Sequence, residues 1–226
     1  MWHVDDEAGH RVATKHLICA CPTFAVARMF EESDPDLSAA MNEIPYAPIV
    51  VVATGHRRKD IEHPLDGFGF LIPRSEGLRT LGSIWTSSIF ADRAPAGYVQ
   101  FRSMLGGAGD PGVMELSDEE LWKILRCELD PLVGIRKDPA FLRVYRWQRA
   151  IPQYTLGHRE RRARIAEAMT RHPGLHLVGN ATDGIGLNDC VKLAYRVAQQ
   201  IRTSDLTSAL RPATSDLRLP ASDGQT

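Results

Sequence analysis

Residues 177–190 read LVGNATDGIGLNDC, and in this stretch a strand, a glycine-bearing loop and a helix follow one another. The opening apolar run predicts a short strand, and apolar residues spaced three and four apart over 188–201 predict a helix with one apolar stripe. Backbone N–H groups at the helix start, with the positive end of the helix dipole, can bind an anion such as a pyrophosphate. Gly184 and Gly186 would let the backbone approach a flat ligand closely. Because the spacing is neither GxGxxG nor a Walker A loop, a glycine-rich connection without a ligand stays open as the alternative.

The length and composition describe a globular protein of one domain or two small ones. The chain has 226 residues, of which 43% are apolar and 24% are charged, and its formal net charge is −1. This balance gives no sign of nucleic-acid binding, and no apolar run is long enough to predict a transmembrane helix. The acidic start at Met1–Glu7 does not have the pattern of a signal peptide. The four cysteines lack the spacing of a zinc site, so we expect no bound metal. We also expect a reduced cytoplasmic setting, in which the cysteines serve as small packing residues.

The remaining pattern predicts a mixed α/β chain. A continuous apolar run at Leu17–Cys21 predicts a strand that is buried on both faces. Asp34 followed by Pro35 predicts the start of a helix, and Ser117 with Glu120 forms a capping box that starts another. β-branched and aromatic runs, separated by Gly, Pro and Asp, predict a mostly antiparallel sheet from strands near 49–53, 68–72, 81–88, 98–105 and 141–149.

Two further features have both a functional and a purely structural interpretation. The segment AIPQYTLGH carries Gln153, Tyr154 and His158 beside a proline-rigid turn, where they could line a ligand site or form a turn with a capping histidine. The range 136–171 contains ten Lys or Arg residues and three acids, which could steer an anionic ligand or contact a membrane surface. The alternative for its 159–164 run is a solvated helix face. The sequence shows no Ser/His/Asp signature, HExxH motif or carboxylate pair that would predict hydrolase chemistry.

At these residues the sequence resembles the C-terminal half of the oxygen-dependent protoporphyrinogen oxidases, including bacterial relatives that oxidise coproporphyrinogen III. The resemblance runs from about residue 12 to residue 201. The broader alternative is another member of the flavin amine-oxidase superfamily. Its most specific parts are IPQYTLGH at 151–158 and GIGLNDC at 184–190. The other matching segments are CACPT at 19–23, PLDGFGFLIP at 64–73, LG at 81–82 and MLGG at 104–107.

This resemblance implies the C-terminal part of an FAD-binding, two-domain flavin amine-oxidase fold. Residues 1–45 and 151–203 would belong to the FAD-binding domain, and residues 46–150 would form the substrate-binding domain on a mixed, largely antiparallel sheet. The tail, residues 204–226, is rich in Ser, Thr, Asp and Pro, which predicts disorder.

The resemblance also implies two sets of site residues, with FAD as the cofactor. The resemblance implies that Asn180 makes a backbone contact to FAD. It also implies that the turn of Ile185, Gly186 and Leu187 lies along the flavin and the pyrophosphate. An apolar porphyrinogen pocket is implied for Leu71, Ile84 and Met104. Strand alternation agrees for Met104, which falls on the face opposite Val99, Phe101 and Leu105, although core packing is an alternative for all three pocket residues.

The chain departs from the family at its N-terminal side. The Rossmann βαβ unit, a strand, a GxGxxG turn and a helix that hold the ADP half of FAD, is missing, as is the basic residue that the family places against a propionate. We therefore expect the strands at Leu17 and Leu177 to expose edges and apolar faces. We also expect the isolated chain to bind FAD weakly or not at all. A split or truncated gene, with an N-terminal partner chain that supplies GxGxxG, is our hypothesis for this departure.

The activity that the family implies is FAD-dependent oxidation of a porphyrinogen in heme biosynthesis, with O₂ as acceptor. The substrate would be protoporphyrinogen IX or coproporphyrinogen III, and hydrides would pass to the flavin in successive steps. Since the cofactor carries this chemistry, no catalytic acid or base is assigned. The alternatives are a non-catalytic tetrapyrrole-binding or assembly fragment and another flavin amine oxidase. We expect a cytoplasmic location, with peripheral contact to a membrane as an option.

Overall fold

The computed structural model describes residues 1–210, with side chains described as far as residue 205. The chain divides into two compact units: one combines residues 1–43 with the part from residue 157 onward, and the other consists of residues 44–156. The units divide at 43/44 and 156/157, and the predicted FAD-binding and substrate-binding domains, with boundaries at 45/46 and 150/151, stay predictions. None of the helices in the described part of the chain combines the length and apolar character that a membrane span requires.

Strands and helices are interleaved along residues 1–210. The strands are β1 (Trp2–Asp5), β2 (Arg11–Thr14), β3 (Leu17–Cys19), β4 (Tyr46–Arg57), β5 (Gly69–Leu71), β6 (Thr80–Trp85), β7 (Tyr98–Gly106), β8 (Phe141–Pro152) and β9 (Leu175–Leu177). The helices are α1 (Thr23–Met29), α2 (Pro35–Asn42), α3 (Thr86–Ile89), α4 (Asp118–Val133), α5 (His158–Met169) and α6 (Leu187–Leu210).

The unit of residues 44–156 is built on an antiparallel sheet with the spatial order β5-β6-β7-β4-β8. The β-branched run Ile49–Val52 gives β4 a high strand propensity, and β4 pairs with β7 on one side and with β8 on the other. This confirms the predicted antiparallel sheet. The strand predicted at 81–88 is shorter than expected, because residues 86–89 turn into the short helix α3.

Helix α4 covers one face of this sheet. It starts at the predicted capping box, in which the Ser117 hydroxyl accepts the Glu120 N–H at 3.2 Å and the Glu120 carboxylate accepts the Ser117 N–H at 2.8 Å. Leu121, Leu125 and Leu129 recur at every fourth position and are buried. Each buried leucine contributes roughly 1.5–3 kcal/mol of hydrophobic stabilisation. On the sheet side this core contains Val50, Val52, Phe101 and Leu105.

The other unit contains a small parallel sheet and most of the helices. β3 and β9 pair in parallel, with Leu17 opposite Leu175 and Cys19 opposite Leu177. β1 and β2 form an antiparallel hairpin. Helix α2 packs on both α1 and α5. Parallel pairing is typical of sheets that are covered by helices on both faces.

The β3–β9 sheet exposes much of its apolar surface. Ile18 is 50% exposed, and Leu17 and Leu177 are only half-buried. The prediction that Leu17–Cys21 is buried on both faces is therefore wrong for this chain, because β9 is the only strand that pairs with β3 within the described residues. The exposure of these residues matches the expectation that the strands at Leu17 and Leu177 have exposed edges and apolar faces.

Helix α6 packs only lightly on its own unit. Val197 is buried, whereas Leu187 is 80% exposed and Tyr195 is 71% exposed. The predicted apolar stripe is therefore present in the sequence but largely unpacked in the structure. A cavity of about 340 Å³ separates α6 from α5 and β9, and its apolar lining includes Ile165, Leu175, Leu177 and Leu193.

The helix also continues beyond the predicted boundary. Disorder from residue 204 is wrong for residues 204–210, which belong to α6. The Thr203 hydroxyl donates to the Gln199 carbonyl at 3.0 Å and the Ser204 hydroxyl donates to the Ile201 carbonyl at 2.8 Å, so both polar side chains are satisfied within the helix. The rest of the predicted tail, 211–226, lies outside the described residues.

A buried carboxylate joins the start of α2 to the segment after α5. Asp34 is 7% exposed, and it caps α2 by accepting the Leu37 N–H at 3.0 Å. Arg171 donates to Asp34 at 2.7 Å, and a ring nitrogen of His172 lies 2.6 Å from the same carboxylate. The pKa of Asp34 lies well below its usual range, chiefly because the Arg171 guanidinium stabilises the charged carboxylate. The hydrogen bonds from the Leu37 N–H and from His172 lower this pKa further, by smaller amounts.

The substitution Asp34→Ala is expected to lower the free energy of unfolding by about 2 kcal/mol, because an N-cap alone contributes roughly 0.5–2 kcal/mol and Arg171 also loses its partner. Urea unfolding followed by circular dichroism measures the change. The control is Asp36→Ala, since the Asp36 side chain is 93% exposed and lies 4.0 Å from Arg171. For that control we expect less than about 0.5 kcal/mol, and equal losses in the two variants would contradict this role of Asp34.

The depressed pKa of Asp34 also predicts a pH dependence. In the unfolded chain an aspartate has a pKa of about 3.9. A carboxyl whose pKa is lower in the folded state stabilises the folded protein at pH values above about 3.9, and this stabilisation is lost as the pH falls below that value. The stability advantage of the wild type over Asp34→Asn should therefore shrink below about pH 4. Urea unfolding at a series of pH values tests this, and a constant difference from neutral to acidic pH would refute it.

Candidate functional site

The loop between β9 and α6 requires glycine at two positions. Gly179 has a φ of 145° and Gly184 has a φ of 82°, values that side-chain-bearing residues rarely adopt. A Cβ atom on Gly184 would lie 2.3 Å from the Cβ of Asp189. The Gly186 carbonyl accepts the N–H groups of Asp189 and Cys190 at 3.1 Å each, so the loop passes directly into the first turn of α6.

The start of α6 is open to a ligand. The first N–H groups of a helix have no intrahelical acceptor, and they carry the positive end of the helix dipole. The flanking apolar side chains Ile185 and Leu187 are 51% and 80% exposed. Asp183 would repel an anion here, but it forms ion pairs with Arg196 and, at 3.8 Å, with Arg162. Asp189, in the first turn of α6, lies beside Gly184 and Gly186 and would repel a phosphate placed close to its carboxylate. A polar ring edge, or a phosphate kept away from Asp189, fits this helix start.

The structure brings the four predicted cofactor-binding residues into one stretch. Asn180 is half-buried at the start of the loop, and Ile185, Gly186 and Leu187 form the passage into α6. Their contact with FAD remains a prediction.

The residues of the AIPQYTLGH segment have different surroundings. The Gln153 side chain donates to a backbone carbonyl two residues earlier at 2.9 Å, which fits the turn interpretation. His158 is the first residue of α5 and is buried; burial lowers its pKa, with help from two nearby arginines. Tyr154 is 44% exposed. The cofactor or substrate interpretation of these three residues remains a prediction.

Strand register places the three predicted pocket residues on one face of the five-stranded sheet. Leu71 lies opposite Gly82, and Gly82 lies opposite Met104. Ile84 comes two residues after Gly82 and therefore shares its face. Val99, Phe101 and Leu105 lie on the opposite face, which α4 covers, as the alternation predicts. We call the first surface the open face, and its larger side chains are Ile49, Val51, Arg57, Leu71, Ile84, Tyr98, Gln100, Arg102, Met104, Phe141, Arg143, Tyr145 and Trp147.

Small residues in the middle of the open face let neighbouring side chains lie close to the sheet: a Cβ on Gly55 would lie 3.3 Å from the Phe141 Cβ, and one on Gly82 would lie 3.0 Å from a Leu71 methyl carbon. Ala53 and Gly55 lie in the central strand β4, and Gly82 lies in β6. Tyr145 and Trp147 stand on β8 and are 43% and 57% exposed. A shallow surface with apolar and aromatic side chains can bind a planar apolar molecule, and its polar groups then fix the orientation of that molecule.

Sequence reasoning missed the residues that β7 and β8 contribute to the open face. The sequence predicts the strands but points to no site at Arg102, Tyr145 or Trp147, and it marks Arg143 only as one of the basic residues of the range 136–171. The signal was available in β8, where residues 143, 145 and 147 alternate with the half-buried Leu142 and Val144.

Comparison with known proteins gives relatives for nearly the whole described chain. The sequence pattern of the family described as flavin containing amine oxidoreductase matches residues 3–202. The chloroplastic protoporphyrinogen oxidase of Oryza sativa subsp. japonica is 32% identical over 200 residues, which cover 84% of this chain and 37% of that protein. The coproporphyrinogen III oxidase of Bacillus subtilis (strain 168) is 30% identical over 176 residues, which cover 77% of this chain and 37% of that protein.

Solved structures share the fold. A candidate protoporphyrinogen oxidase from Exiguobacterium sp. 255-15 matches with a TM-score of 0.70 and 22% identity, over 89% of this chain and 44% of that chain. A cofactor-binding redesign of putrescine oxidase matches with a TM-score of 0.62 and 13% identity, over 89% and 46%. At these identities the likeness shows the fold alone. The chain spans a little more than a third of the length of the curated relatives named above.

The geometry of the loop predicts that Gly184→Ala destabilises this unit more than Gly9→Ala does. Both glycines have nearly the same φ, 82° and 83°, but a Cβ on Gly9 would meet no atom within 4 Å. Each substitution carries the strain of a positive φ, and Gly184→Ala adds a steric clash with Asp189 that costs roughly 1–3 kcal/mol more. Urea unfolding of the two variants measures the difference, and equal losses would show that the loop relaxes freely.

Proposed function

The chain belongs to the flavin containing amine oxidoreductase family, and we propose that it takes part in the FAD-dependent oxidation of a porphyrinogen with O₂ as acceptor. Its mixed α/β structure is part of the flavin amine-oxidase fold, which confirms the predicted fold class, and FAD is the cofactor that the family implies. The observation that carries the proposal is the open face, where apolar and aromatic side chains lie beside basic ones. Protoporphyrinogen IX or coproporphyrinogen III would lie there, in a step of heme biosynthesis.

The loop before α6 fits the flavin side of FAD. A Cβ on Gly179 would meet no atom within 4 Å, so the backbone there can come close to a flat ring, and the helix start offers N–H donors to its polar edge or to a phosphate. Asn180, Ile185 and Leu187 would complete this contact, with the two apolar side chains excluding water from it. FAD, when bound, would accept the hydrides that the macrocycle gives up.

The open face fits the macrocycle. Leu71, Ile84 and Met104 would pack against the plane of the ring, and Tyr145 and Trp147 would bound it on the β8 side. These side chains orient the substrate and exclude water; none of them needs to transfer a proton. This division of labour is usual where a cofactor supplies the reactive centre.

The ADP half of FAD has no binding unit in the described residues, since no strand runs through a GxGxxG turn into a helix. We propose that a further polypeptide segment, on the same or a separate chain, supplies it. The exposed Ile18 and the exposed α6 side chains Leu187 and Tyr195 support this proposal, because they offer an apolar surface and unpaired strand edges. Peripheral contact with a membrane is also part of the proposal.

The absence of an adenosine site in the described residues predicts how the chain ranks flavins. FAD and FMN should bind with affinities within about threefold of each other, a difference below roughly 1 kcal/mol. Riboflavin should bind more weakly because it lacks a phosphate for the start of α6. Flavin fluorescence titrations measure the three affinities, and adenosine monophosphate is the competitor that should have no effect. An FAD affinity more than about tenfold above that of FMN would contradict the prediction.

Complementation tests the whole proposal. The chain would be co-expressed with the GxGxxG-bearing part of a relative such as the Bacillus subtilis coproporphyrinogen III oxidase. We expect retained flavin, rising porphyrin fluorescence from a porphyrinogen, and hydrogen peroxide in step with it. Retained flavin with oxidation of amines alone would assign another flavin amine oxidase. A complex that binds porphyrin but holds no flavin would assign a tetrapyrrole-binding fragment.

A further inference from the structure

Two arginines in the middle of the open face have no acidic partner within the described part of the chain. Arg102 extends from β7 and Arg143 from β8, and both are exposed. Neither forms an ion pair with a carboxylate among residues 1–205. The strands place no Asp or Glu on this face, so its charge is positive.

The arginine on the opposite face of β8 has an acidic partner. Arg146, one position along β8 from Tyr145, points to that face and pairs with Asp118 at 2.8 Å. Arg102 and Arg143 therefore differ from a neighbouring arginine of the same sheet, because their charge is not balanced by a carboxylate among residues 1–205.

The register puts the two arginines on either side of a small residue. Arg102 and Arg143 both lie opposite Ala53, on the two neighbouring strands of β4. Two strand spacings separate their Cα atoms by about 10 Å. The Ala53 methyl group leaves the space between them unfilled by a large side chain.

An apolar row runs directly beside this basic row. Met104 and Tyr145 both lie opposite Val51, two residues from Ala53 along β4. The Arg143 guanidinium lies 5.6 Å from the centre of the Tyr145 ring, which holds the charge next to the aromatic surface. A flat molecule that covers the apolar row would present the substituents of its edge to the two arginines.

We propose that Arg102 and Arg143 bind carboxylates on the edge of the macrocycle and select a substrate with more than two of them. This inference rests on the proposed function. Coproporphyrinogen III has four propionates, whereas protoporphyrinogen IX has vinyl groups in place of two of them. A propionate can form charge-assisted hydrogen bonds with a guanidinium. A vinyl group would cover the guanidinium and leave its N–H groups without an acceptor, which is unfavourable. Protoporphyrinogen IX carries its two propionates on adjacent pyrroles and can satisfy the pair only with that edge, whereas coproporphyrinogen III carries a propionate on every pyrrole. The pair therefore favours the coproporphyrinogen type of substrate.

Porphyrin binding tests this selectivity with the stable oxidised ligands, coproporphyrin III and protoporphyrin IX. Fluorescence titrations of the full chain should show coproporphyrin III bound at least about tenfold more tightly. The double variant Arg102→Gln with Arg143→Gln should reduce this preference to about twofold or less and leave protoporphyrin IX binding nearly unchanged. The preference of the wild type should also fall as the salt concentration rises.

The matched control is Arg93→Gln. Arg93 is exposed in the same unit and, like Arg143, lies 5.6 Å from the centre of an aromatic ring, that of Phe90, but it lies outside the strands of the sheet. The control should keep the full preference for coproporphyrin III. If its preference falls as far as that of the double variant, the general charge of the chain explains the binding and the inference is overturned.

The remaining outcomes separate this inference from the proposed function. Equal affinities for the two porphyrins, or a preference that survives in the double variant, would overturn the role of the arginines and leave the porphyrinogen proposal standing. Failure to bind either porphyrin, with circular dichroism showing a folded chain, would overturn the open face as the macrocycle site and the inference with it.

Discussion

The packing of helix α4 against one side of the five-stranded sheet is the constraint on which the candidate substrate surface depends. Leu121 and Leu125 fix the buried side, and Val50 with Phe101 provides the matching sheet surface. Since side chains alternate along a strand, the residues next to Val50 and Phe101 in their strands must point to the other face of the sheet. The same burial that stabilises the unit therefore presents a continuous second face, and the function proposed for the chain follows from what that face carries.

The second unit is governed by incomplete pairing. A two-stranded parallel sheet is uncommon on its own because its edges and faces need partners. Here Ile18 and much of α6 are exposed, while Asp34 and its partners tie α2 to the segment after α5. The unit thus joins α2 to the segment before β9 through one buried carboxylate, and it leaves apolar surface exposed on β3 and α6.

Local chemistry explains which parts of this structure could be predicted from sequence. The capping box at Ser117 and the helix start at Asp34 were predictable because each signal lies within a few residues. The continuation of α6 past residue 203 was not predictable, because it depends on which segments are nearby. The exposure of the strand at Leu17 could be expected only from the resemblance, since its apolar run alone predicts burial. The predicted pocket residues came from resemblance, whereas Arg102 and Arg143 required the strand register, which sequence alone leaves open.

Hydrogen–deuterium exchange on the full chain tests most directly the claim that the macrocycle and the flavin use separate surfaces. Exchange would be measured with coproporphyrin III alone, with FMN alone and with neither. The account predicts that the porphyrin slows exchange in β7 and β8, and that FMN slows it in the 179–190 loop and helix start. Protection of the same segment by both ligands, or porphyrin protection confined to α5 and α6, would contradict it.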